Sequence, residues 1–485
     1  MAEKLHLLEI QKRAFDKFRK AGGRQLEALP TGAGKTIVAI YTIQWVLKLN
    51  PSNKVLVVTP ANLRFNTGST LSRFYPEIKF TYPNKNTLLD DYKTKSVLII
   101  SFNFLRDYIE ELKKLKFTLL MIDEFHYAKN KNSSTFRSLK EIAFSTKYCM
   151  GLTASPYSNT PAEFFTLVYL ISKDPKILKY ANKFINYKKK KVELPSGKVA
   201  NRKYPYNIHY KFIFKKYVGK WIFWPSKKTL KTMKKPKPLT YLKKVPITKL
   251  EYYTYLYALN KVPEKLIVKL QKGTITNGEL AKIRFWLAVA EQALLTPDAY
   301  IKGRTNKRPG SKIKYIAEKI KKDKKQAIVF SQFKENGVTV ANRYFNSIGI
   351  KSVEYSGAVS KEERRQIEKD YNDGKIQVIC LTMAGMEGIN LPTATQVYFL
   401  SLYFNPEVLN QVQGRALRVS SHNLYVDVYW LLAVYTKFSV AGIGLVKKDT
   451  IDTWMMNIAM KKNEFRKTLW KVLGEQTKAG EKYDS

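Results

Sequence analysis

The chain has 485 residues, 45% of them apolar and 13% aromatic, and carries 86 Lys and Arg against 39 Asp and Glu, a net charge of +47. That length and apolar content exclude a disordered chain and leave room for two or three domains with separate cores. A positive excess on this scale repels itself in the compact state and calls for a polyanionic partner, so nucleic acid is expected; a membrane is not, because no apolar stretch is long and unbroken enough to span one.

In chain order, the first strong signal is Leu29-Pro30-Thr31-Gly32-Ala33-Gly34-Lys35-Thr36, directly before the apolar run Ile37-Val38-Ala39-Ile40. A loop that wraps a polyphosphate needs glycines, a lysine for the β/γ-phosphates and a hydroxyl for Mg²⁺. Gly32, Ala33, Gly34, Lys35 and Thr36 provide them, and the apolar run continues as a helix with its positive end toward the phosphates. The leading glycine of the general pattern is replaced by Leu29. Strands are expected at Lys54–Thr59, Val97–Ser101, Thr118–Asp123 and Tyr148–Thr153, alternating with amphipathic stretches as in a helix-covered parallel sheet. The third ends in Asp123-Glu124 and is followed by Phe125-His126. Such a pair at a strand's carboxyl end can hold Mg²⁺ through Asp123 and direct the attacking water through Glu124. Thr153 and Ser155, in Gly151-Leu152-Thr153-Ala154-Ser155-Pro156, place small hydroxyls at the next strand end.

Residues 171–250 contain 24 Lys and Arg against two acids, with aromatic residues interleaved throughout. We read a folded or partly folded basic insertion in which Lys188, Lys189, Lys190 and Lys191 hold phosphates; the plainer reading is a small subdomain whose aromatic residues form its own core and whose lysines are solvated. The competing reading is a protein-docking segment with Trp221, Phe223 and Trp224 as apolar anchors. Residues 249–295 read as helical and 297–310 as a linker. A second α/β series follows, with strands expected at Ala327–Phe330, Lys351–Tyr355, Gln377–Leu381, Gln396–Leu400 and Val426–Leu432. A glycine-rich turn, Ala384-Gly385-Met386-Glu387-Gly388-Ile389-Asn390, comes after the third of these strands. Further on, Gln411-Val412-Gln413-Gly414-Arg415-Ala416-Leu417-Arg418 puts Arg415 and Arg418 three apart on one expected helix face. Both could fork onto phosphate oxygens. The apolar stretch Tyr429–Val446 is interrupted by Lys437 and reads as buried strand plus loop. Met1-Ala2-Glu3-Lys4 has no signal-peptide apolar run. Cys149 and Cys380 lack CxxC spacing and are expected as buried thiols of an intracellular, reducing compartment.

In this order the elements resemble superfamily 2 helicase-like ATPases, and more narrowly the Swi/Snf type, over about residues 5–170 and 305–475. Leu8-Glu9-Ile10-Gln11 is similar to the adenine-recognition segment, Gly310-Ser311-Lys312 to the opening of lobe 2, Ala384-Gly385 with Gly388-Ile389-Asn390-Leu391 to its AGxxGLNL signature, and Thr450-Ile451-Asp452 to its closing brace. The resemblance implies an α/β fold of two RecA-like lobes, 1–175 and 301–485, with the insertion and a helical connector between them at 176–300. It implies ATP and Mg²⁺ as cofactors, with Gln11 as adenine reader and Lys35, Glu124, Arg415 and Arg418 as catalytic groups. Thr153, Ser155, Gly388 and Gln411 would couple nucleotide to movement, with duplex DNA as partner. Two departures stand out: the phosphate loop has the general superfamily form, and Arg418 is followed by Val419-Ser420-Ser421-His422 rather than Ile-Gly-Gln. Compact length and lysine content look most like the viral nucleoside triphosphatase I branch, which implies a transcription or packaging complex in the host cytoplasm or the virion. Two alternatives stand beside this: a strand-separating DNA or RNA helicase, and an ATP-gated nucleic-acid clamp.

Overall fold

The computed structural model describes residues 5–456 apart from 62, 155, 157–160, 180–184, 194–198, 209–217, 227–228, 231–232, 234, 272–274, 276, 300–306, 358, 387–388, 403–405, 419–420, 422 and 435–449. The chain divides into two compact units, with the boundary between Lys234 and Lys235, inside the segment expected as one insertion and connector.

The first unit is built on seven strands: β1 (Arg24–Ala28), β2 (Val55–Thr59), β3 (Phe80–Thr81), β4 (Val97–Ser101), β5 (Leu119–Ile122), β6 (Tyr148–Thr153) and β9 (Ile222–Phe223). Their order is β3-β4-β2-β5-β6-β1-β9, with every neighbouring pair parallel. Strands such as Val-Leu-Val-Val-Thr and Val-Leu-Ile-Ile-Ser are continuous apolar runs, buried along their whole length, as a sheet covered on both faces requires. The four strands expected here are all present, two of them trimmed by a residue or two.

β1, directly before the phosphate loop, was not legible because it carries Arg24, Gln25 and Glu27, all buried. Arg24 is accommodated by carbonyls: Nε donates to Ile171 O at 2.7 Å, and the terminal nitrogens donate to Thr146 O and Ala143 O, each at 3.0 Å. Those carbonyls lie at the C-terminal ends of helices Ser134–Ser145 and Pro161–Ser172, where a cation also meets the negative end of the helix dipole. β9 lies within the stretch expected as a basic insertion, yet it pairs with β1, Lys17 Nζ donates to Ile222 O at 2.7 Å, and Phe223 and Trp224 are buried at 7% and 3% exposure. Trp221 packs against the same core. The docking-anchor reading of these three aromatic residues is therefore corrected: the sheet edge consumes them.

Among the described residues the second unit has a sheet of six strands, β10 (Lys237–Pro246), β11 (Ala327–Phe330), β12 (Ser352–Tyr355), β13 (Val378–Leu381), β14 (Gln396–Phe399) and β15 (Tyr425–Val434). The order is β10-β15-β14-β11-β13-β12, again all parallel. Helices Lys249–Leu259, Glu264–Gln271 and Asn277–Ala293 fill the stretch expected to be helical. The segment around Thr450-Ile451-Asp452 is tied in by a fully buried ion pair, Lys312 Nζ to Asp452 Oδ2 at 2.8 Å. The same carboxylate oxygen accepts Ala433 N–H at 2.8 Å, and Thr450 Oγ1 donates to Ala433 O at 2.7 Å.

Outside both sheets, β7 (Ile185–Glu193) and β8 (Val199–Ile208) form a two-stranded antiparallel ribbon. Among the described residues no helix is long and apolar enough to cross a membrane. Cys149 and Cys380 are buried, which raises both thiols above their ordinary range.

Candidate nucleotide-binding and hydrolysis site

The phosphate loop follows β1 and ends in helix Lys35–Leu49. Gly32 and Gly34 have φ of 78° and 74°, the left-handed region that side chains with a Cβ enter only at a cost. Gly34 is the residue that opens the helix, and no side chain caps its first turn. The helix therefore presents backbone N–H groups and its positive end where Lys35 and Thr36 begin. Ala33 is buried and is held from outside the loop: Gln11 Nε2 donates to Ala33 O at 2.9 Å, while Gln11 Oε1 accepts Leu8 N–H at 2.8 Å. One amide hydrogen and one oxygen lone pair remain on Gln11. That is the capacity for a bidentate contact to an adenine edge.

Asp123 and Glu124 leave the end of β5. Asp123 N–H donates to Val58 O at 2.9 Å, and Asp123 Oδ1 accepts Glu124 N–H at 2.9 Å. Glu124 sits at φ 48°, ψ 51°, a left-handed conformation rare outside glycine, and starts the turn Phe125–Ala128. Desolvation pushes the Asp123 carboxyl up to about 6, helped by the neighbouring Glu124 charge and opposed by the Lys35 ammonium. Two adjacent carboxylates in such a setting suit a cation. Thr36 and Asp123 would hold Mg²⁺, which when bound supplies charge neutralisation to phosphoryl oxygens. Among the described residues no cluster of three or more His, Cys, Asp or Glu could hold a metal ion, so nucleotide oxygens and water would complete its coordination.

From Glu124 a polar path reaches the next strand. Glu124 Oε2 lies 3.2 Å from His126 Nδ1, and the same ring nitrogen lies 3.5 Å from Thr153 Oγ1 at the end of β6. The sequence placed His126 beside the pair without a role. Its bridging position between Glu124 and Thr153 depends on the turn and could not be read from spacing. Ser155 falls outside the described residues.

In the second unit, helix Pro406–Ala416 carries Gln411 and Arg415. Arg415 Nη1 donates to Ile389 O at 3.3 Å, and Leu391 N–H donates to Arg415 O at 3.2 Å, joining this helix to the glycine-rich turn. Gly388 of that turn is outside the described residues. Arg418 does not share the helix face expected for it. The helix ends at Ala416, and Arg418 N–H closes onto Ala416 O at 2.9 Å. Its Nε is buried without a hydrogen-bond partner among the described residues, and desolvation, together with the Arg415 charge, lowers its pKa to about 9. Glu368, on helix Lys361–Asn372, counters that shift. Burial pushes Glu368 itself up to about 7, against the Asn390 N–H and the charges of Arg418 and Arg415. No sequence signal pointed to Glu368, because its relation to the arginines arises only from packing. Lys188, Lys189, Lys190 and Lys191 lie in β7, whose backbone pairing alone is described.

Two parallel-sheet α/β units, the first with a glycine-framed phosphate loop and a strand-end acidic pair, define a helicase-core architecture. Profiles described as "SNF2-related domain" and "Helicase conserved C-terminal domain" match residues 28–299 and 311–420. The chain belongs to the SNF2-related family of superfamily 2 helicase-like ATPases. It is 25% identical to an "Uncharacterized ATP-dependent helicase" of Mycoplasma pneumoniae over 84% of this chain, spanning only 37% of that protein. It is also 25% identical to nucleoside triphosphatase I of Choristoneura biennis entomopoxvirus, over 83% of this chain and 69% of that one. The Pyrococcus furiosus Hef helicase domain shares the fold, with a TM-score of 0.52 at 16% identity over 89% of this chain and 96% of that one.

Proposed function

We propose that the chain is an ATP-dependent translocase on duplex DNA, serving transcription or DNA processing of a viral or virus-like genome. The observation that carries this reading is that the loop Gly32–Thr36 and the pair Asp123-Glu124 follow β1 and β5, parallel strands on either side of β6 in one sheet, with the Lys35 charge opposing the rise of the Asp123 carboxyl. Lys35 and the helix N-terminus bind the β/γ-phosphates, and Thr36 and Asp123 hold Mg²⁺. Glu124, positioned through His126, orients and deprotonates the attacking water. Gln11 reads adenine. Thr153, Ser155, Gly388 and Gln411 couple the nucleotide state to movement. Arg415 and Arg418 are the further catalytic cations, supplying positive charge to the transition state. Nucleic acid is supported as partner by the net charge of +47. The similarity to nucleoside triphosphatase I supports the viral setting, and with it the host cytoplasm or virion.

Strand separation is the second reading, favoured by the name of the Mycoplasma relative. One comparison tests both: ATP turnover with no nucleic acid, single-stranded DNA, duplex DNA and RNA, beside product release from a forked duplex. The translocase reading expects the largest stimulation by duplex DNA and no strand release. Stimulation confined to single strands, or release from the fork, would replace it with the helicase reading.

A further inference from the structure

The β7–β8 ribbon belongs to neither parallel sheet. Its register sets Lys189 opposite Lys203 and Lys190 opposite Arg202, flanked by Lys188 opposite Tyr204 and Lys191 opposite Asn201. A two-stranded ribbon is marginally stable on its own. Like charges directly opposite one another weaken it further, whereas opposite charges would strengthen it. Two successive rungs of paired cations are therefore the reverse of what ribbon stability alone would select. Across its 19 residues the only acid is Glu193, at the end of β7, against six Lys and Arg.

We propose that this ribbon is a nucleic-acid grip, in which the paired cations of Lys189/Lys203 and Lys190/Arg202 are balanced by the phosphates of duplex DNA. The dimensions suit it: paired strands lie about 4.8 Å apart, and a major groove roughly 12 Å wide admits a two-stranded ribbon. Lysines at alternate positions of one strand, such as Lys188 and Lys190, are about 6.6 Å apart along it, so a single face meets more than one phosphate. Lysine point charges carry no base information, so the grip is independent of sequence. The proposal rests on the nucleic-acid reading given above and not on the ATP chemistry.

The test is nucleotide-free binding of the full chain to a random-sequence duplex, read by fluorescence anisotropy across a salt series. Basal ATP turnover of the unaltered protein is measured in parallel. Each lost phosphate contact lowers the salt slope by about 0.9. Replacing Lys188, Lys189, Lys190 and Lys191 together with alanine is expected to weaken binding roughly tenfold or more at moderate salt and flatten the slope by about two to three units. The second variant, Lys189→Glu with Lys190→Glu, turns both like-charged rungs into opposite-charged ones and changes the net charge by as much as the alanine variant. It should keep or raise the thermal midpoint while weakening DNA binding about as far as the alanine variant does. Unchanged affinity and slope in both variants would overturn the proposal and point to an acidic protein surface as the ribbon's partner. A chain that binds duplex through these lysines yet hydrolyses no ATP would sink the translocase reading and leave the ribbon assignment standing.

Discussion

Gly34 and Gly22 offer a matched pair of perturbations. Their φ values are +74° and +73°, so an alanine at either meets the same left-handed strain, about 1–2 kcal/mol. They differ in what the new Cβ meets. At Gly22, in the turn after helix Glu9–Lys20, nothing lies within 4 Å, whereas at Gly34 the Cβ would stand 2.4 Å from Gln11 Nε2. Relieving that contact moves the Gln11 amide off Ala33 O, which removes a hydrogen bond with a net worth of about 0.5–1.5 kcal/mol. Gly22→Ala should therefore destabilise the first unit by about 1–2 kcal/mol, and Gly34→Ala by about 1.5–3.5 kcal/mol. In a unit of this size each kcal/mol is about 2–4 °C in the thermal midpoint. The functional difference should be larger. ATP affinity, titrated calorimetrically, should be unchanged in Gly22→Ala and fall at least tenfold, about 1.4 kcal/mol, in Gly34→Ala. Equal ATP binding by both variants would refute the account of the Gln11–Ala33 contact as part of the nucleotide cradle.

Lys35→Ala should abolish ATP binding and turnover, while Glu124→Gln should keep ATP binding and lose about three powers of ten in turnover. A Glu124→Gln protein of normal rate would remove Glu124 from the reaction. Alanine at Arg415 or Arg418 should lower DNA-stimulated turnover by about 2–5 kcal/mol of transition-state stabilisation while nucleotide affinity holds, measured by single-turnover kinetics beside titration. Lys312→Met strands the buried Asp452 carboxylate and should destabilise the second unit by about 3–5 kcal/mol in urea unfolding, whereas adding Asp452→Leu should restore only part of it, because the Ala433 N–H then loses its acceptor. Burial also raises Glu291 to about 8, with Gln332 Nε2 donating to it at 2.7 Å. The folded state then holds a proton that the unfolded state has released, so stability falls as pH rises from about 5 to 8, by up to about 1.4 kcal/mol per unit. Glu291→Gln should flatten that slope in urea unfolding at pH 6 and pH 8.

The sheets were legible where strands are continuous apolar runs, as in Val97–Ser101 and Ala327–Phe330. β1 was not, because a strand reading Arg-Gln-Leu-Glu-Ala is polar by composition and is buried only because helix-end carbonyls receive Arg24. Likewise Ile222-Phe223 and Trp224 sit in a lysine-rich stretch, and only pairing with β1 turns them into sheet edge and core. The phosphate loop was legible because its backbone demands glycine at particular positions, a requirement written directly in residue type. Arg418 was placed by extending a helical period past the point where the helix stops. Contacts that join distant segments, Gln11 to Ala33 and His126 to Thr153, leave no local pattern at all.

Movement along DNA without strand separation is the central claim, and displacement of a third strand from a DNA triplex reads it most directly. The protein should release the triplex-forming strand from an intact duplex only with ATP and Mg²⁺, and the Glu124→Gln variant should release none. Duplex-stimulated ATP hydrolysis with no ATP-dependent release would contradict translocation and leave an ATP-gated clamp.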